Sequence, residues 1–419
     1  MKAIMRDAAE LKDSGIEWIG DIPYDWNISR IGNFFCFRSG DTLTNEQIKD
    51  EEKYPVYGAN GCRGYYDQYN LNGKYILLGR VGALCGNVHI VNESVWVTEH
   101  ALIAEMKKEI THEVYAYIFD SMNLIQYSKA SAQPVISSST LMGLRIPIIP
   151  QKEQQVIRDY LDDRCSKIDA IIAEAKASIE EYKELKQAVI YEAVTKGLDK
   201  NATTYNTNNI WIPSLPENVP LSRLGLHYDV ILGKMLCPKP RNEEDTLESY
   251  ICAANVHFDG VSGELKSMWF NDAEKSLYTV HCKDMLIVEG GAGAGGAAIV
   301  EEEPSTGTYI QNSIMIVRAK DCEDNRYARY LVEALVNRNY VDYVCNKATI
   351  PHFTKEKVST IPYPVFSVEE RIRISDYLDI KTKQMDALIS EKQSLIADLE
   401  AYKKSLIYEV VTGKRKMVA

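Results

Sequence analysis

The sequence lacks the clustered cysteines and histidines that hold metals or build disulfide frameworks. Its 419 residues include nine cysteines and seven histidines. The cysteines are scattered, odd in number and never spaced as Cys-x-x-Cys, whereas zinc sites and disulfide frameworks need clustered or even-numbered cysteines. We therefore expect reduced, mostly buried thiols and no metal site.

Long apolar runs are also missing. No run reaches the roughly 18–20 residues that cross a bilayer, and the first ten residues lack the apolar stretch of a signal peptide. We expect a cytoplasmic protein. Because 419 residues exceed what one hydrophobic core usually supports, we also expect more than one domain.

The usual catalytic motifs are absent from the sequence. It contains no phosphate-binding Gly-x-x-x-x-Gly-Lys-Ser/Thr, no His-Glu-x-x-His and no Gly-x-Ser-x-Gly. It also lacks the Asn/Asp-Pro-Pro-Tyr loop with which amino-methyltransferases hold a flipped base.

One glycine-rich segment, residues 289–298, follows a strand-like run, as a dinucleotide-binding loop would. The next residues, 299–304, are β-branched, acidic and end in proline, which suits the required helix poorly. Residues 79–87 are its counterpart in the first half. We favour tight glycine turns, and a nucleotide-binding enzyme is a distant alternative.

Excess positive charge is missing too. The formal net charge is −11, and neither large region of the chain is basic. A strongly basic surface is typical of proteins that bind nucleic acid on their own. Any contact with nucleic acid would therefore have to come from local clusters.

What the sequence does contain is a duplication. Asp159-Tyr-Leu-Asp162 recurs as Asp376-Tyr-Leu-Asp379, 217 positions later, in an ungapped match that extends to Val194-Thr195. An earlier motif, Trp18-Ile19 with Ile22-Pro23, recurs 193 positions later as Trp211-Ile212 with Leu215-Pro216. The region between the two markers is therefore 24 residues longer in the second half. Such repeats reveal the organisation of the whole chain.

Residues 16–145 and 210–360 have the composition of α+β domains. Short runs of β-forming residues, among them Tyr75–Leu78 and Met285–Val288, are separated by glycine and asparagine, which predicts strands joined by turns. Apolar spacing predicts helices within 111–128 and 326–344.

Each α+β region is followed by one copy of a long amphipathic segment. Apolar residues recur at alternating spacings of four and three over about four to five heptads, which favours a coiled coil. Pro150 and the capping box at Ser367 are helix starts, and Gly197 and Gly413 are stops. A single amphipathic helix on a globular body is the alternative. The residues predicted to pack the two helices together are Leu161, Ile168, Ile172, Ile179, Leu378, Met385, Ile389 and Ile396.

Because each helix starts at the end of its own domain, side-by-side pairing requires an antiparallel arrangement. At about 1.5 Å per residue, roughly 40 residues span about 60 Å. We therefore expect two domains at opposite ends of one rod, related by an approximate two-fold axis.

Several motifs, in the same order in both halves, resemble the specificity subunits of type I restriction-modification systems. The resemblance covers nearly the whole chain. Each string alone is moderately specific, and their repeated order is highly specific. The strings are Ser14–Pro23 with Trp26, Tyr57–Gly61 with Gly64-Tyr65, Gly79–Gly82, Ala132–Ser137, Ile146-Pro147 with Lys152–Gln154, Ala348–Thr354, and Ile361-Pro362 with Glu369–Arg371.

This resemblance implies a subunit without an active site. Each target-recognition domain would read one half of a bipartite, asymmetric site in double-stranded DNA, and the helices would dock two methyltransferase (modification) subunits. Restriction (translocase) subunits are further partners. The family places S-adenosylmethionine and ATP on those partners and no cofactor on this chain. A free-standing DNA-binding protein and a coiled-coil scaffold with protein-binding domains are the alternatives.

The predicted fold class is α+β, with two target-recognition domains, each followed by a long helix, and with the helices paired as an antiparallel coiled coil. The boundaries are 1–150 for the first domain, 151–197 for its helix, 198–209 for a linker, 210–366 for the second domain, 367–413 for its helix and 414–419 for a tail.

Base edges in the major groove are read by Arg, Asn, Gln, His and similar side chains on loops or helices. For each candidate, a solvated surface position or a structural hydrogen bond is the alternative. The candidates are Asn60, Arg63, Lys74, Arg80 and Gln133 in the first domain, and Lys234, Asn255, His257, Lys347, Thr349, His352 and Lys355 in the second.

Overall fold

A computed structural model describes residues 2–128, 134–291, 293–304, 307–345 and 351–418. The chain divides into two compact units. Unit 1 comprises Met1–Lys176 with Gln393–Ala419, and unit 2 comprises Ala177–Lys392. Among the described residues, no helix combines the length and apolarity needed to cross a membrane.

The strands and α-helices alternate irregularly along the chain, as expected for an α+β protein. The strands are β1 Lys2–Met5, β2 Leu11–Asp13, β3 Asp21–Pro23, β4 Asn27–Arg30, β5 Phe35–Ser39, β6 Tyr54–Gly58, β7 Gly61–Tyr66, β8 Leu71–Gly79, β9 Val88–Val97, β10 Ala101–Met106, β11 Arg145–Ile148, β12 Thr204–Asn206, β13 Ser214–Pro216, β14 Leu221–Arg223, β15 Tyr228–Leu232, β16 Thr246–Ile251, β17 Val256–His257, β18 Gly260–Val261, β19 Lys266–Phe270, β20 Met285–Val288, β21 Ala297–Ile299, β22 Thr308–Ile310, β23 Ile314–Ala319, β24 Pro362–Pro364 and β25 Arg415–Val418. The helices are α1 His112–Ser121, α2 Ser138–Gly143, α3 Gln151–Lys196, α4 Leu224–His227, α5 Asp272–Tyr278, α6 Arg326–Val336, α7 Tyr340–Val344, α8 Lys355–Ser359 and α9 Val368–Val411.

The two units repeat one sheet topology. In unit 1 the strand order is β5-β10-β8-β9-β6-β7, and in unit 2 the corresponding order is β15-β23-β20-β21. Strand β9 pairs with β8 antiparallel and with β6 parallel. In unit 2 two separate strands make the corresponding pairings. Strand β21 pairs antiparallel with β20, and β22 pairs parallel with β16. The frame is thus shared, and the longer second half has a more divided sheet.

The predicted strands Tyr75–Leu78 and Met285–Val288 are confirmed as β8 and β20. All four residues of β20 are fully buried, as is usual for a central strand with apolar neighbours on both faces. The predicted helices are also present, but each is interrupted. Asn123 and Asn339 adopt left-handed backbone conformations, with φ values of 48° and 64°, which asparagine tolerates better than other non-glycine residues.

The sequence signals for helix starts and stops lie close to the ends of α3 and α9. Helix α3 follows Pro150 directly, and the Ser367 hydroxyl accepts a hydrogen bond of 3.2 Å from the Glu370 amide at the start of α9. Gly197 and Gly413 follow the helix ends with φ values of 72° and 74°. Only glycine adopts this left-handed conformation without strain, so a glycine close to each helix end favours its termination.

Within each unit, the two long helices pack antiparallel. In unit 1, Leu161 and Ile168 near the start of α3 share a core with Leu406 and Val410 near the end of α9. In unit 2 the end of α3 and the start of α9 share a core through Ile190, Val194, Ile374 and Leu378. Of the predicted packing residues, Leu161, Ile168, Ile172, Ile179 and Leu378 are buried, whereas Met385, Ile389 and Ile396 are partly exposed.

A lysine interrupts the apolar stripe of each helix, and the structure pairs both lysines in the same way. The Lys403 ammonium donates to both carboxylate oxygens of Asp169 at 2.7 Å. In unit 2, Lys186 donates to both oxygens of Asp386 at 2.7 Å. A polar residue in a coiled-coil seam specifies register at some cost in stability. Each pair therefore holds the helices in one register.

Tyrosines connect the α+β part of each unit to the same helices. The Tyr117 hydroxyl on α1 donates to Asp162 at 2.8 Å, and the Tyr330 hydroxyl on α6 donates to Asp379 at 2.6 Å. Asp162 and Asp379 occupy the same place in the repeat.

The opening motif of each half contacts the end of the long helix that comes from the other half of the sequence. The Tyr408 hydroxyl donates to the Ile19 carbonyl at 3.0 Å, and the Tyr191 hydroxyl donates to the Trp211 carbonyl at 3.0 Å. This contact gives a physical reason for the joint repetition of helix and motif.

The predicted linker and tail both contain a strand. Strand β12, inside the linker, pairs with β13, and β25, inside the tail, pairs with β1. Their composition indicated irregular chain because strands of three or four residues leave too short a pattern to recognise.

Unit 2 contains a buried carboxylate whose ionisation opposes folding. Burial raises the pKa of Glu333 although Arg329 and Lys186 lower it. The folded state therefore retains the proton to higher pH than the unfolded state does, and ionised Glu333 destabilises the fold. We expect Glu333→Gln to raise the free energy of unfolding at pH 7. The gain should shrink as pH falls through the raised pKa and vanish below the ordinary pKa of glutamate.

Urea unfolding of the full chain at several pH values measures this effect. Glu217→Gln, at an exposed position of unit 2, is the matched control and should leave the free energy of unfolding unchanged at every pH. A Glu333→Gln protein that is less stable than wild type at pH 7 would contradict the prediction.

Candidate nucleic-acid interface

Two glycine turns occupy equivalent places in the two units. The first joins β8 to β9 across residues 80–87, and the second joins β20 to β21 across residues 289–296. We call them turn 1 and turn 2. Because turn 2 leads into a strand, the alternative of a dinucleotide-binding loop, which would lead into a helix, is wrong. The favoured prediction of a tight turn is confirmed.

The same backbone hydrogen bonds hold both turns. In turn 1, the Arg80 amide donates to the His100 carbonyl at 2.8 Å, and the Arg80 carbonyl accepts from Ile136 at 3.0 Å. In turn 2, the Glu289 amide donates to the Ser313 carbonyl at 2.8 Å, and the Glu289 carbonyl accepts from Phe353 at 2.6 Å. Arg80 and Glu289 therefore occupy one position of a shared frame.

A glycine lets a neighbouring loop approach each frame closely. An ideal Cβ on Gly40 would lie 2.1 Å from the Val97 carbonyl oxygen, and one on Gly233 would lie 2.4 Å from the Gln311 carbonyl oxygen. The two glycines are 193 positions apart, the same offset as the opening motif. Both positions require glycine because a side chain would collide with backbone.

In unit 1 the structure brings three of the predicted residues to the same end of the sheet. Asn60 is exposed in the turn between β6 and β7, and Arg63 on β7 donates to Asn45 at 2.9 Å. Arg80 in turn 1 is partly buried and donates to the Ser39 hydroxyl at 2.7 Å. Lys74 differs, because it is ion-paired with Glu113 of α1.

Polar atoms without partners are concentrated around turn 1. Within the described part of the chain, five buried atoms here make no hydrogen bond. Burial also lowers the pKa of His89 although the Ala59 backbone raises it, which favours the neutral imidazole. Buried polar groups are normally satisfied, so these unpaired atoms are an unusual feature of this part of unit 1. The atoms are Arg80 Nε, His89 Nε2, Trp96 Nε1, Thr98 Oγ1 and Glu99 Oε2.

Two of the residues predicted in unit 2 have their polar groups engaged inside the protein. Lys234 is 4% exposed, donates to the Trp269 carbonyl at 2.6 Å and is ion-paired with Glu274. Asn255, also 4% exposed, donates to the carbonyl of Ser262 at 3.0 Å. A base contact by either side chain would require these bonds to break.

The other described candidates of unit 2 are exposed. His257 lies on β17, and Lys355 is the first residue of α8. His352 pairs with Gly290 of turn 2 in an isolated antiparallel bridge. An ideal Cβ on Gly290 would lie 3.2 Å from Nδ1 of His352, so the imidazole lies directly against the turn. Gln133, Lys347 and Thr349 lie outside the described residues.

Sequence reasoning missed Glu289, His89 and Glu99. Glu289 could have been found by aligning the two glycine turns residue by residue, which places it opposite Arg80. His89 and Glu99 gave no such signal, because their position depends on the pairing of distant strands.

Unit 2 also contains a cavity of about 690 Å³ beside α6, lined by residues that include Lys186, Arg326 and Glu333. Of the predicted base-reading residues that the structure describes, none lines it. Among the described residues, no group of three His, Cys, Asp or Glu side chains could hold a metal ion.

Comparison with known proteins points to one family. The family profile of the type I restriction modification DNA specificity domain matches residues 23–181. The EcoprrI specificity subunit of Escherichia coli is 32% identical over 130 residues, which cover 30% of this chain and 32% of that protein. The putative MjaX specificity subunit of Methanocaldococcus jannaschii is 24% identical over 94% of this chain and 95% of its own length.

Solved structures share the fold. A chain from a type I R-M system, solved in work on complex assembly and conformational transition, aligns with a TM-score of 0.69 and 14% identity over 94% of this chain and 99% of that one. The HsdS subunit from Thermoanaerobacter tengcongensis aligns with a TM-score of 0.50 and 15% identity over 94% of this chain and 98% of its own.

The close approach at Gly40 generates a test of the frame. Because a Cβ there would collide with backbone, we expect Gly40→Ala to lower the free energy of unfolding by roughly 1–3 kcal/mol. Urea unfolding of the full chain measures this loss. Gly143→Ala is the control, since nothing lies within 4 Å of its ideal Cβ, and should change stability by less than about 0.5 kcal/mol. If the two variants were equally stable, the loop at Gly40 would lie farther from the Val97 carbonyl than the structure indicates.

Proposed function

We propose that this chain, which belongs to the specificity subunits of type I restriction-modification systems, selects the DNA sequence on which such a complex acts. Each recognition domain reads one half of a bipartite, asymmetric target in double-stranded DNA. The observation that carries the proposal is the duplicated frame, in which equivalent turns present different polar side chains. Shared backbone with differing readers is what recognition of two different half-sites requires.

We assign the base contacts to the predicted side chains that reach the surface: Asn60, Arg63, Arg80, His257, His352 and Lys355. Lys74, Lys234 and Asn255 would act as positioning residues, because their polar groups already bond within the protein. The domain boundaries at residues 150 and 366 belong to the same proposal.

The acidic charge of the chain is compatible with this role if partners hold the DNA. Contacts to phosphates supply much of the affinity in protein–DNA complexes and carry no sequence information. In this proposal two methyltransferase subunits, docked on the long helices, provide those contacts and bind S-adenosylmethionine. Restriction subunits that use ATP complete the assembly. This chain contributes the discrimination between bases and no catalytic group.

Methylome sequencing of the native cell, with and without the gene, tests the function. We expect one bipartite methylation motif to disappear on deletion and to return with a plasmid copy of the chain. An unchanged methylome would sink the proposal in favour of a protein-binding scaffold. A free-standing DNA-binding protein would also leave the methylome unchanged, and would be recognised by tight binding of the isolated chain to DNA.

Because the proposal assigns the phosphate contacts to the methyltransferase subunits, it predicts weak DNA binding by this chain alone. At physiological salt we expect a dissociation constant no tighter than roughly 1 μM, in the range of non-specific binding. Addition of the copurified methyltransferase subunits should tighten binding to the methylation motif by at least about a thousandfold. Fluorescence anisotropy with a duplex that carries the motif, at several salt concentrations, measures both values. Nanomolar binding by the isolated chain would contradict this account.

A further inference from the structure

We propose that Arg80 and Glu289 are a matched pair of specificity determinants, which read guanine in one half-site and cytosine in the other. The inference rests on the proposed function and adds to it a residue, Glu289, and two base identities. It starts from a reversal of charge at one position of a duplicated frame.

The two side chains start from equivalent points. Residues 80 and 289 each follow a buried central strand. Their backbone amides donate to the loops that precede β10 and β23, respectively. Their carbonyls accept hydrogen bonds from the segments that precede α2 and α8. The residue two places further on also matches, because Gly82 and Gly291 donate to the carbonyls of Pro134 and Pro351 at 2.9 and 3.3 Å. With the backbone held by three corresponding hydrogen bonds, the side chain is what differs.

Arg80 keeps part of its guanidinium free of internal hydrogen bonds among the described residues. Its Nη1 donates to the Ser39 hydroxyl at 2.7 Å, which orients the guanidinium plane. Its Nε is buried without a partner among the described residues. Guanine presents two acceptors, O6 and N7, side by side in the major groove, and a planar guanidinium contacts both at once. No other base edge offers that pair of acceptors.

Glu289 reverses this preference. Its carboxylate is partly buried, and within the described residues it makes no hydrogen bond and no ion pair. An ionised carboxylate only accepts hydrogen bonds, so it selects a base that presents an amino group. Cytosine offers its N4 amino group alone, whereas adenine places the acceptor N7 beside its amino group. Guanine O6 and thymine O4 would face the carboxylate with an acceptor and be rejected.

Among the described residues, Glu289 lacks the internal partner that a structural role would give it. A carboxylate retained for stability would bond a backbone amide, a lysine or an arginine, as Glu274 does with Lys234. The exposed imidazole of His352 lies beside Gly290, the next residue of the turn. Turn 2 therefore places a second polar side chain next to Glu289 on the same surface.

The test is methylome sequencing of the native deletion strain complemented with the full chain carrying Arg80→Gln, Glu289→Gln or the control Glu243→Gln. Glu243 is exposed in unit 2 and lies outside both turns. The wild-type copy must first restore a bipartite motif, and if it does not, the proposed function itself fails. This step separates the two failures. Thermal unfolding of each purified variant establishes that it is folded.

With a motif restored, we expect a cytosine in the half-site read by unit 2, where Glu289→Gln relaxes the preference roughly ten- to hundredfold at that one position. Arg80→Gln should relax a guanine preference in the half-site read by unit 1 by a similar factor. It should leave the half-site read by unit 2 unchanged. The control should reproduce the wild-type motif. The inference is overturned if folded Glu289→Gln protein keeps every base preference, if it alters both half-sites, or if the affected base is not cytosine.

Discussion

The register of the two long helices is the constraint on which the rest of the structure depends. In each unit a lysine in the apolar stripe meets an aspartate of the facing helix, as Lys403 does with Asp169 and Lys186 with Asp386. Such partly exposed pairs contribute little stability, about 0–1 kcal/mol. Their effect is selective, since sliding the helices would leave both charges against apolar side chains. One register then fixes where each recognition domain attaches.

Polar contacts also attach the domains to the long helices. Tyr117 and Tyr330 bond to aspartates about two helical turns from the lysine pairs, on the same helix face. The opening motifs contact the helix ends through Tyr408 and Tyr191. These contacts are polar and directional, so they orient a domain as well as holding it. The domain surface can then vary without disturbing its attachment. Duplication followed by divergence of the turns gives two different surfaces on one frame.

The acidic charge of this chain is compatible with the proposed separation of roles. A protein that holds DNA by itself needs a basic surface, and this chain has none across either region. The described polar groups around turn 1 are instead few, partly buried and incompletely bonded, which suits discrimination more than affinity. Lys234 shows that a positive charge does not by itself identify a DNA-binding residue. Its ammonium serves an internal ion pair with Glu274, and residue type alone could not distinguish that use from a DNA contact.

The sequence by itself determined the duplication, the presence of two long helices and the central strands, because each depends on local signals: a repeat offset, a cap, a glycine stop or an apolar run. It also determined the glycine turns, whose residues leave little choice of backbone. Only the tertiary structure decided which polar side chains lie inside and which reach the surface. It placed Lys234 and Asn255 within the fold and left His257 and His352 exposed, because side-chain burial depends on the pairing of strands far apart in the chain.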